Sequence, residues 1–396
     1  MIQTPEEFKE IAPYDDNDFK AQMMALLDAP GFEHAIRYVI PDVDMNELRQ
    51  QLLKLDKKRD FQELVMYNIL LMLEKKTTDG VTVTGWENFT PEHPSLFITN
   101  HRDIVLDASF LCMAMIRKGY HSMEIALGDN LLIYDWIAHL VRLNEGIIVK
   151  RNLRLTKALE AAKQLSGYIH YCITTKHESA WIAQREGRAK DSNDVTQDAV
   201  LKMLALAGET DNVAVRLMEL NITPTAISYE YDPNDFLKAK EFLARRRDAN
   251  FKKCQRDDLL SMETGILKYK GRVNFTICKP INPDIEPLTT LTDKAEIIRS
   301  VCRIIDREIH SGYVIYPVNY IAFDAVYPGM RFRGEYTDEQ LEKFNSYIDG
   351  QLDKVDLENI TPEEREFMRR SILKMYANPL RNQLLAKGED IPEAQA

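Results

Sequence analysis

Apolar residues in the first 75 positions recur at helical spacing. Asn46 to Lys57 carries Leu48, Leu52 and Leu55, and Phe61 to Leu73 places Leu64, Val65, Ile69 and Leu70 on one stripe. Pro30-Gly31 and Pro41 punctuate this stretch. The period changes at Val81–Trp86, which alternates like a strand, and at Ser95–Thr99, a short apolar run ending at Asn100-His101. From there the two patterns alternate. Strands are expected at Met123–Leu127, Gly146–Val149, Ser179–Ala183, Thr223–Glu230 and Val273–Cys278. Helices are expected at Val105–Arg117, Leu131–Arg142, Leu155–Tyr168 and Asp198–Ala207. Lys294–Ile309, Glu339–Gln351 and Pro362–Ala386 read as later helices.

This order predicts an α/β fold: a mostly parallel central sheet flanked by helices, with a helical N-terminal region and a helical C-terminal extension. The expected divisions are residues 1–77, the α/β domain 78–290, the extension 291–386 and a disordered tail 387–396. A chain of 396 residues has room for two or three domains and a sizeable core.

Charge narrows the function. A net charge of −11 argues against broad nucleic-acid affinity, which needs a clustered basic surface. It leaves room for a local basic patch facing anionic lipid or phosphate. The five cysteines are scattered, with no C-x-x-C or Cys/His ligand spacing, so they read as reduced thiols, and no metal site or disulfide framework is expected. The N-terminal stretch MIQTPEEFKEIAPYDDNDFK is acidic and lacks the apolar core of a signal peptide. No run reaches the roughly 18–20 apolar residues of a spanning helix. The expected location is the cytoplasm, with peripheral attachment at the inner face of the membrane left open. Basic segments at Ala244–Lys253 and Lys268–Arg272 are the candidates for that contact.

Four blocks carry candidate chemistry. N-H-R-D-I-V-L-D, from Asn100 to Asp107, sits where a strand gives way to a helix, the place where α/β proteins display reactive groups. An imidazole near a carboxylate, His101 with Asp107 or Asp103, suits removal of a proton from an alcohol at neutral pH. G-I-I-V-K-R delivers Lys150 and Arg151 to a strand end, where two cations suit a phosphate. W-I-A-Q-R-E-G-R runs an apolar strand into Glu186, Gly187 and Arg188. Gly187 permits a tight turn, and the flanking opposite charges either pair with each other or meet a ligand. I-T-P-T-A-I-S-Y-E sets Pro224 at a strand start, where its missing N–H costs least. H-R-D also opens the protein-kinase catalytic loop. That signature requires Asn where Ala108 stands, and its D-F-G, V-A-I-K and Gly-rich loop are absent.

Taken in order, with roughly 45, 35 and 40 residues between them, the blocks resemble the phospholipid/glycerol acyltransferase family over about residues 78–282. The helical N-terminal region and long C-terminal extension look more like the glycerol-3-phosphate acyltransferases than the 1-acylglycerol-3-phosphate enzymes. The resemblance implies that His101 is the base and the following Asp its orienting group. It also implies that Arg151, Glu186, Gly187 and Arg188 bind the acyl acceptor, and that the block with Pro224 shapes the acyl or carrier site. Two departures stand out: five residues rather than four separate His101 from Asp107, and the third block reads Q-R-E-G-R rather than an apolar residue followed by F-P-E-G-T-R.

The reaction this implies is transfer of a fatty-acyl group from acyl-CoA or acyl-carrier protein to a hydroxyl. The acceptor would be glycerol 3-phosphate, lysophosphatidate or a related lipid precursor. Direct attack in a ternary complex is expected, with oxyanion donors from the backbone at the start of the Val105 helix and no cofactor. Neither a G-x-S-x-G elbow nor a Cys with an activating signature supports an acyl-enzyme. The alternative from another class is a catalytically silent acyl- or membrane-binding protein on the same scaffold. Asp107 is favoured over Asp103 as the partner of His101, because the Ala-Ser-Phe-Leu that follows it resembles the family's helix.

Overall fold

The structure, a computed structural model, describes residues 3–394; the first two residues of the N-terminal region and the last two of the tail lie outside the described residues. Seven strands form one sheet: β1 (Val81–Thr84), β2 (Leu96–Thr99), β3 (Glu124–Gly128), β4 (Gly146–Val149), β5 (Ala180–Ala183), β6 (Thr223–Tyr229) and β7 (Val273–Ile277). Their order is β1-β7-β6-β2-β5-β3-β4, parallel throughout except for the antiparallel β6/β7 pair. The α/β expectation holds, and the expected strands are those observed, with ends shifted by up to two residues.

Central position explains the apolar runs. All four residues of β2 are buried, as required of a strand covered by helices on both faces. Leu96 and Ile98 join one core with Ile182, Ala226 and the helices Leu155–Thr174 and Lys294–Ser311. Phe97 points the other way and joins Trp181, Ile227, Phe275 and the helices Leu106–Arg117 and Tyr67–Thr77. The outer strand β4 is shielded by the N-terminal segment, whose Ile11 carbonyl accepts the Ile148 N–H at 2.8 Å.

Two departures from the periodicity have local causes. Leu64 is exposed instead of sharing the buried stripe, because residues Gln62–Met66 form a π turn that adds a residue to the helix and rotates its face. The helix Lys294–Ser311, expected to open the C-terminal extension, packs Ile297, Val301, Ile305 and Ile309 into the core beneath the sheet. The separate C-terminal core starts near Tyr316. It recruits Ala239 and Leu243 from Asp235–Arg247, a helix too rich in charge to be read from the sequence. Within the tail, Glu389 pairs with Arg331 and Ile391 packs against this core.

A buried carboxyl links that core to the α/β domain. Asp235 receives hydrogen bonds from the hydroxyls of Tyr347 (2.8 Å) and Tyr376 (2.9 Å) and from the Gln351 amide (2.5 Å). Burial, reinforced by the Asp232 charge, pushes its carboxyl up to about 7. An unfolded Asp titrates near 3.9, so between about pH 4 and 7 the unfolded chain binds fewer protons than the native one. This group therefore lowers stability as pH rises through that window. Asp235→Asn is expected to gain melting temperature over the wild type on going from pH 5 to pH 8. An unchanged difference at the two pH values would show that Asp235 is ionised throughout.

Candidate active site

The carboxyl ends of β2, β3, β4, β5 and β6 lie along one edge of the sheet, and the candidate residues gather there. Where β2 stops, Asn100 extends its pairing with side-chain atoms. Its amide donates to the Ile227 carbonyl at 2.9 Å and accepts the Ile227 N–H at 2.8 Å. The next residue, His101, is thereby launched from a fixed point at the sheet edge.

Asp107 then decides the shape of the loop. Its Oδ2 lies 2.8 Å from His101 Nδ1 and accepts the N–H groups of Arg102 (2.6 Å) and Asp103 (3.0 Å). Three donors on one buried oxygen bend the chain around the carboxylate, which absorbs the fifth intervening residue. An ionised carboxylate only accepts, so Nδ1 is the donor in this contact and Nε2 is the ring nitrogen left outside it. Asp103 does a different job. Its Oδ1 accepts the N–H of Val105 (2.9 Å) and of Leu106 (2.8 Å), which caps the Leu106–Arg117 helix. Burial and the Asp107 charge push the Asp103 carboxyl up from its ordinary range.

The Val105 and Leu106 N–H groups, expected to serve an oxyanion, are thus already committed to Asp103.

His101 opens into a cavity of about 1240 Å³. Its lining includes apolar side chains, among them Met66, Leu70, Cys112, Met113, Ile116 and Ile125, and cationic ones, Arg151, Arg185, Arg188, Lys190, Lys238 and Lys253, with the carboxylates Glu241, Asp257 and Asp258 beside them. Lys150 and Glu186 are on the wall too, as is Gly187, whose φ of +67° is a left-handed turn that glycine adopts freely. Lys150 is drawn aside to Glu10 at 2.5 Å. Glu186 pairs with Arg151 at 3.3 Å, and no Glu186–Arg188 ion pair forms among the described residues. Arg188 Nη1 is buried with no hydrogen-bond partner. Pro224 is the member the structure does not bring in. It pairs with Ile98 at the far end of β6, gives its carbonyl to the Cys278 N–H at 2.9 Å, and serves the sheet rather than the cavity.

Several contributors had no assigned role in the sequence. Trp181 packs edge-on against His101, ring centroids 5.8 Å apart, and restrains the imidazole plane. Arg102 is buried and forms an ion pair with Asp194 at 2.7 Å, which also accepts the Tyr313 hydroxyl at 3.0 Å. Removing one partner of such a buried pair typically costs about 3–5 kcal/mol. Gly128 ends β3 where a Cβ would come within 2.5 Å of Arg151 Nε, and Gly265 leaves the space that Asp103 Oδ2 fills. Asn100 lay inside the quoted block and Gly128 at a strand end, both readable signals. Asp194, Tyr313 and Gly265 carry none.

Buried polar atoms without partners are uncommon in native proteins. Here Thr99, Asp107 Oδ1, Trp181 Nε1, Gln184, Arg185 Nε and the Tyr229 hydroxyl all have none, and they cluster around this loop. Burial and the Asp107 charge push the Tyr229 phenol well above its ordinary value.

The division of labour between the two aspartates gives a direct expectation. Asp103→Ala should lower stability in denaturant unfolding by about 0.5–2 kcal/mol, the usual cost of a lost cap, while Asp103→Asn, which keeps an accepting oxygen, should be close to neutral. Equal losses for both would mean that its charge matters and the cap does not.

Residues 80–199, which include the first three blocks but not Pro224, match the family model described as Acyltransferase. No curated protein matches the chain. Among solved structures, the 1-acyl-sn-glycerophosphate (LPA) acyltransferase PlsC from Thermotoga maritima aligns with 74% of this chain and 97% of its own, at 10% identity and a TM-score of 0.35. The signal recognition particle 54 kDa protein from Aeropyrum pernix K1, in complex with GDP, aligns with 94% of each chain at 10% identity and a TM-score of 0.21. Scores that low add no argument, and the family match stands on residues 80–199 alone. Those residues form an acyltransferase-family domain, and the chain is an enzyme of the acyl-transferring class.

Proposed function

We propose that the enzyme transfers a fatty-acyl group from a thioester carrier, acyl-CoA or acyl-carrier protein, to the hydroxyl of a phosphorylated glycerol or related lipid precursor. It would belong to the glycerolipid and phospholipid biosynthetic type. The observation that carries this reading is that one cavity, with His101 on its wall, is lined by both apolar and cationic side chains. An acyl chain suits the first and an acceptor phosphate the second.

His101 Nε2 would take the hydroxyl proton as that oxygen attacks the thioester carbonyl. Asp107 keeps the ring in the receiving tautomer and stabilises the imidazolium that forms, and the thiol carrier leaves with the proton. Transfer would be direct. Cys112, the one cysteine on the cavity wall among the described residues, has its thiol pushed up to about 12 by burial, which disfavours a thiolate nucleophile. The Ser109 hydroxyl is engaged with the Val105 carbonyl at 2.8 Å. With the helix-start N–H groups committed, the oxyanion would draw on cationic side chains of the wall. This route uses no metal or organic cofactor.

The test is a product assay: labelled acyl-CoA and acyl-carrier protein, offered with glycerol 3-phosphate, lysophosphatidate and an unphosphorylated aminolipid alcohol. A labelled lipid ester is expected, and its loss by about 10²–10⁴ in His101→Ala at unchanged melting temperature. Normal turnover in that variant would remove His101 from the mechanism. Arg151→Ala should raise KM for the phosphorylated acceptor and leave that for the donor. Gly128→Ala should do the same more mildly, because its new methyl displaces the Arg151 guanidinium. Equal effects on both substrates would argue against a phosphate at Arg151.

A further inference from the structure

The strand ends of β3 and β4 are neighbours at the outer edge of the sheet, and the loops that leave them are tied together where the Arg151 N–H donates to Asp129 Oδ1 at 3.2 Å. These two loops expose large apolar side chains to water. Tyr134 is 52% exposed, Leu159 51%, and Leu155, the first residue of its helix, 92%. Residues 152–160 are all exposed. Leu155 and Leu159 lie one turn apart on the same face. On the adjoining flank of that helix, Ala158, Ala161 and Ala162 line the cavity that holds His101. The apolar lip therefore borders the mouth of the site.

Its charge is distinctive in an acidic protein. Positions 150–160 hold four cations, Lys150, Arg151, Arg154 and Lys157, against one carboxylate, Glu160, and Asp135 adjoins Tyr134. Lys150 and Arg151 have partners, but Arg154 and Lys157 form no ion pair among the described residues. Leucines and a tyrosine interleaved with uncompensated cations make a surface that inserts into the headgroup region of an anionic bilayer. In the basic segments singled out in the sequence most cations are engaged within the fold, and Arg246, Lys252 and Lys268 form no ion pair among the described residues. Arg245 and Lys253 share Glu241, Arg246 lies over the Phe367 ring at 4.5 Å, and Arg247 grips Glu364 at 2.7 Å. Lys270 is buried, and Arg272 holds Glu230 at 2.9 Å.

We propose that the lip formed by Tyr134, Leu155, Leu159, Arg154 and Lys157 docks the enzyme on an anionic lipid bilayer, with the cavity mouth against the membrane. The inference rests on the reading above in one respect, that a lipid enters or leaves through that mouth. The membrane contact itself is independent of which acceptor is used.

Flotation with vesicles of phosphatidylcholine and phosphatidylglycerol, and with phosphatidylcholine alone, tests it. The wild type should float with the anionic vesicles. The double variant Leu155→Glu/Leu159→Glu, altered only at exposed positions, should melt normally and lose binding by about tenfold or more. Arg154→Glu/Lys157→Glu should lose the preference for anionic vesicles. Turnover of a vesicle-borne acceptor should fall in step with binding, while turnover of a short, water-soluble acceptor stays unchanged. A leucine variant that floats like the wild type overturns the proposal. So does a wild type that ignores vesicles and forms a dimer which the leucine substitutions break. Binding is read by flotation alone, so failure to find an acyl acceptor would count against the proposed reaction and leave the docking result standing.

Discussion

Asp107 is fully buried, and the direction of its carboxylate sets the geometry of everything around it. A buried anion is tolerable only where donors surround it, and here they are the His101 ring and two successive backbone N–H groups. Satisfying that charge and bending the loop are one event. The bend turns the imidazole to the cavity, fixes which nitrogen holds its proton and brings Asp103 to the helix start as a cap.

That loop is held from outside as well. Asn100 anchors it to β6, Trp181 packs on the imidazole, and Arg102 reaches Asp194 in the stretch that follows Gly187 and Arg188. Tyr313, just beyond the helix that closes the underside of the sheet, completes the Asp194 contact. Parts of the chain far apart in sequence thus position the His101 loop. Cations from distant parts of the chain also gather on one carboxylate: Lys190, Arg245 and Lys253 all pair with Glu241, within a chain of net charge −11. Such local concentration is what attracts anionic substrates, and net charge says nothing of it.

Much of this was legible in the residues. The strands were, because a covered parallel sheet demands short apolar runs, and each block sits at a strand's carboxyl end except the one with Pro224, which marks a strand's beginning. The partner of His101 was legible by analogy with the helix after Asp107, although spacing alone left Asp103 open. What escaped reading was long-range or charged. Helices Asp235–Arg247 and Gln255–Leu267 show little apolar periodicity, yet they supply Lys238 and the Gly265 notch beside Asp103. The π turn at Gln62–Met66 shifted a helical face that regular spacing had placed elsewhere. The Arg102–Asp194–Tyr313 contact has no local signature, because it exists only once the C-terminal part of the chain has folded against the sheet. The exposed apolar lip was not legible either: Leu155 and Leu159 fit an amphipathic pattern, and only the fold reveals that their side chains stay exposed.

In the proposed reaction Asp107 holds His101 with the proton on Nδ1 and leaves Nε2 free to act as a base. Nitrogen-15 NMR of the His101 ring, followed across the pH range of turnover, measures this directly. A protonated Nδ1 and a bare Nε2 are expected in the active form of the wild type, with that preference lost in Asp107→Asn. A wild-type ring whose Nε2 carries the proton under turnover conditions would contradict it.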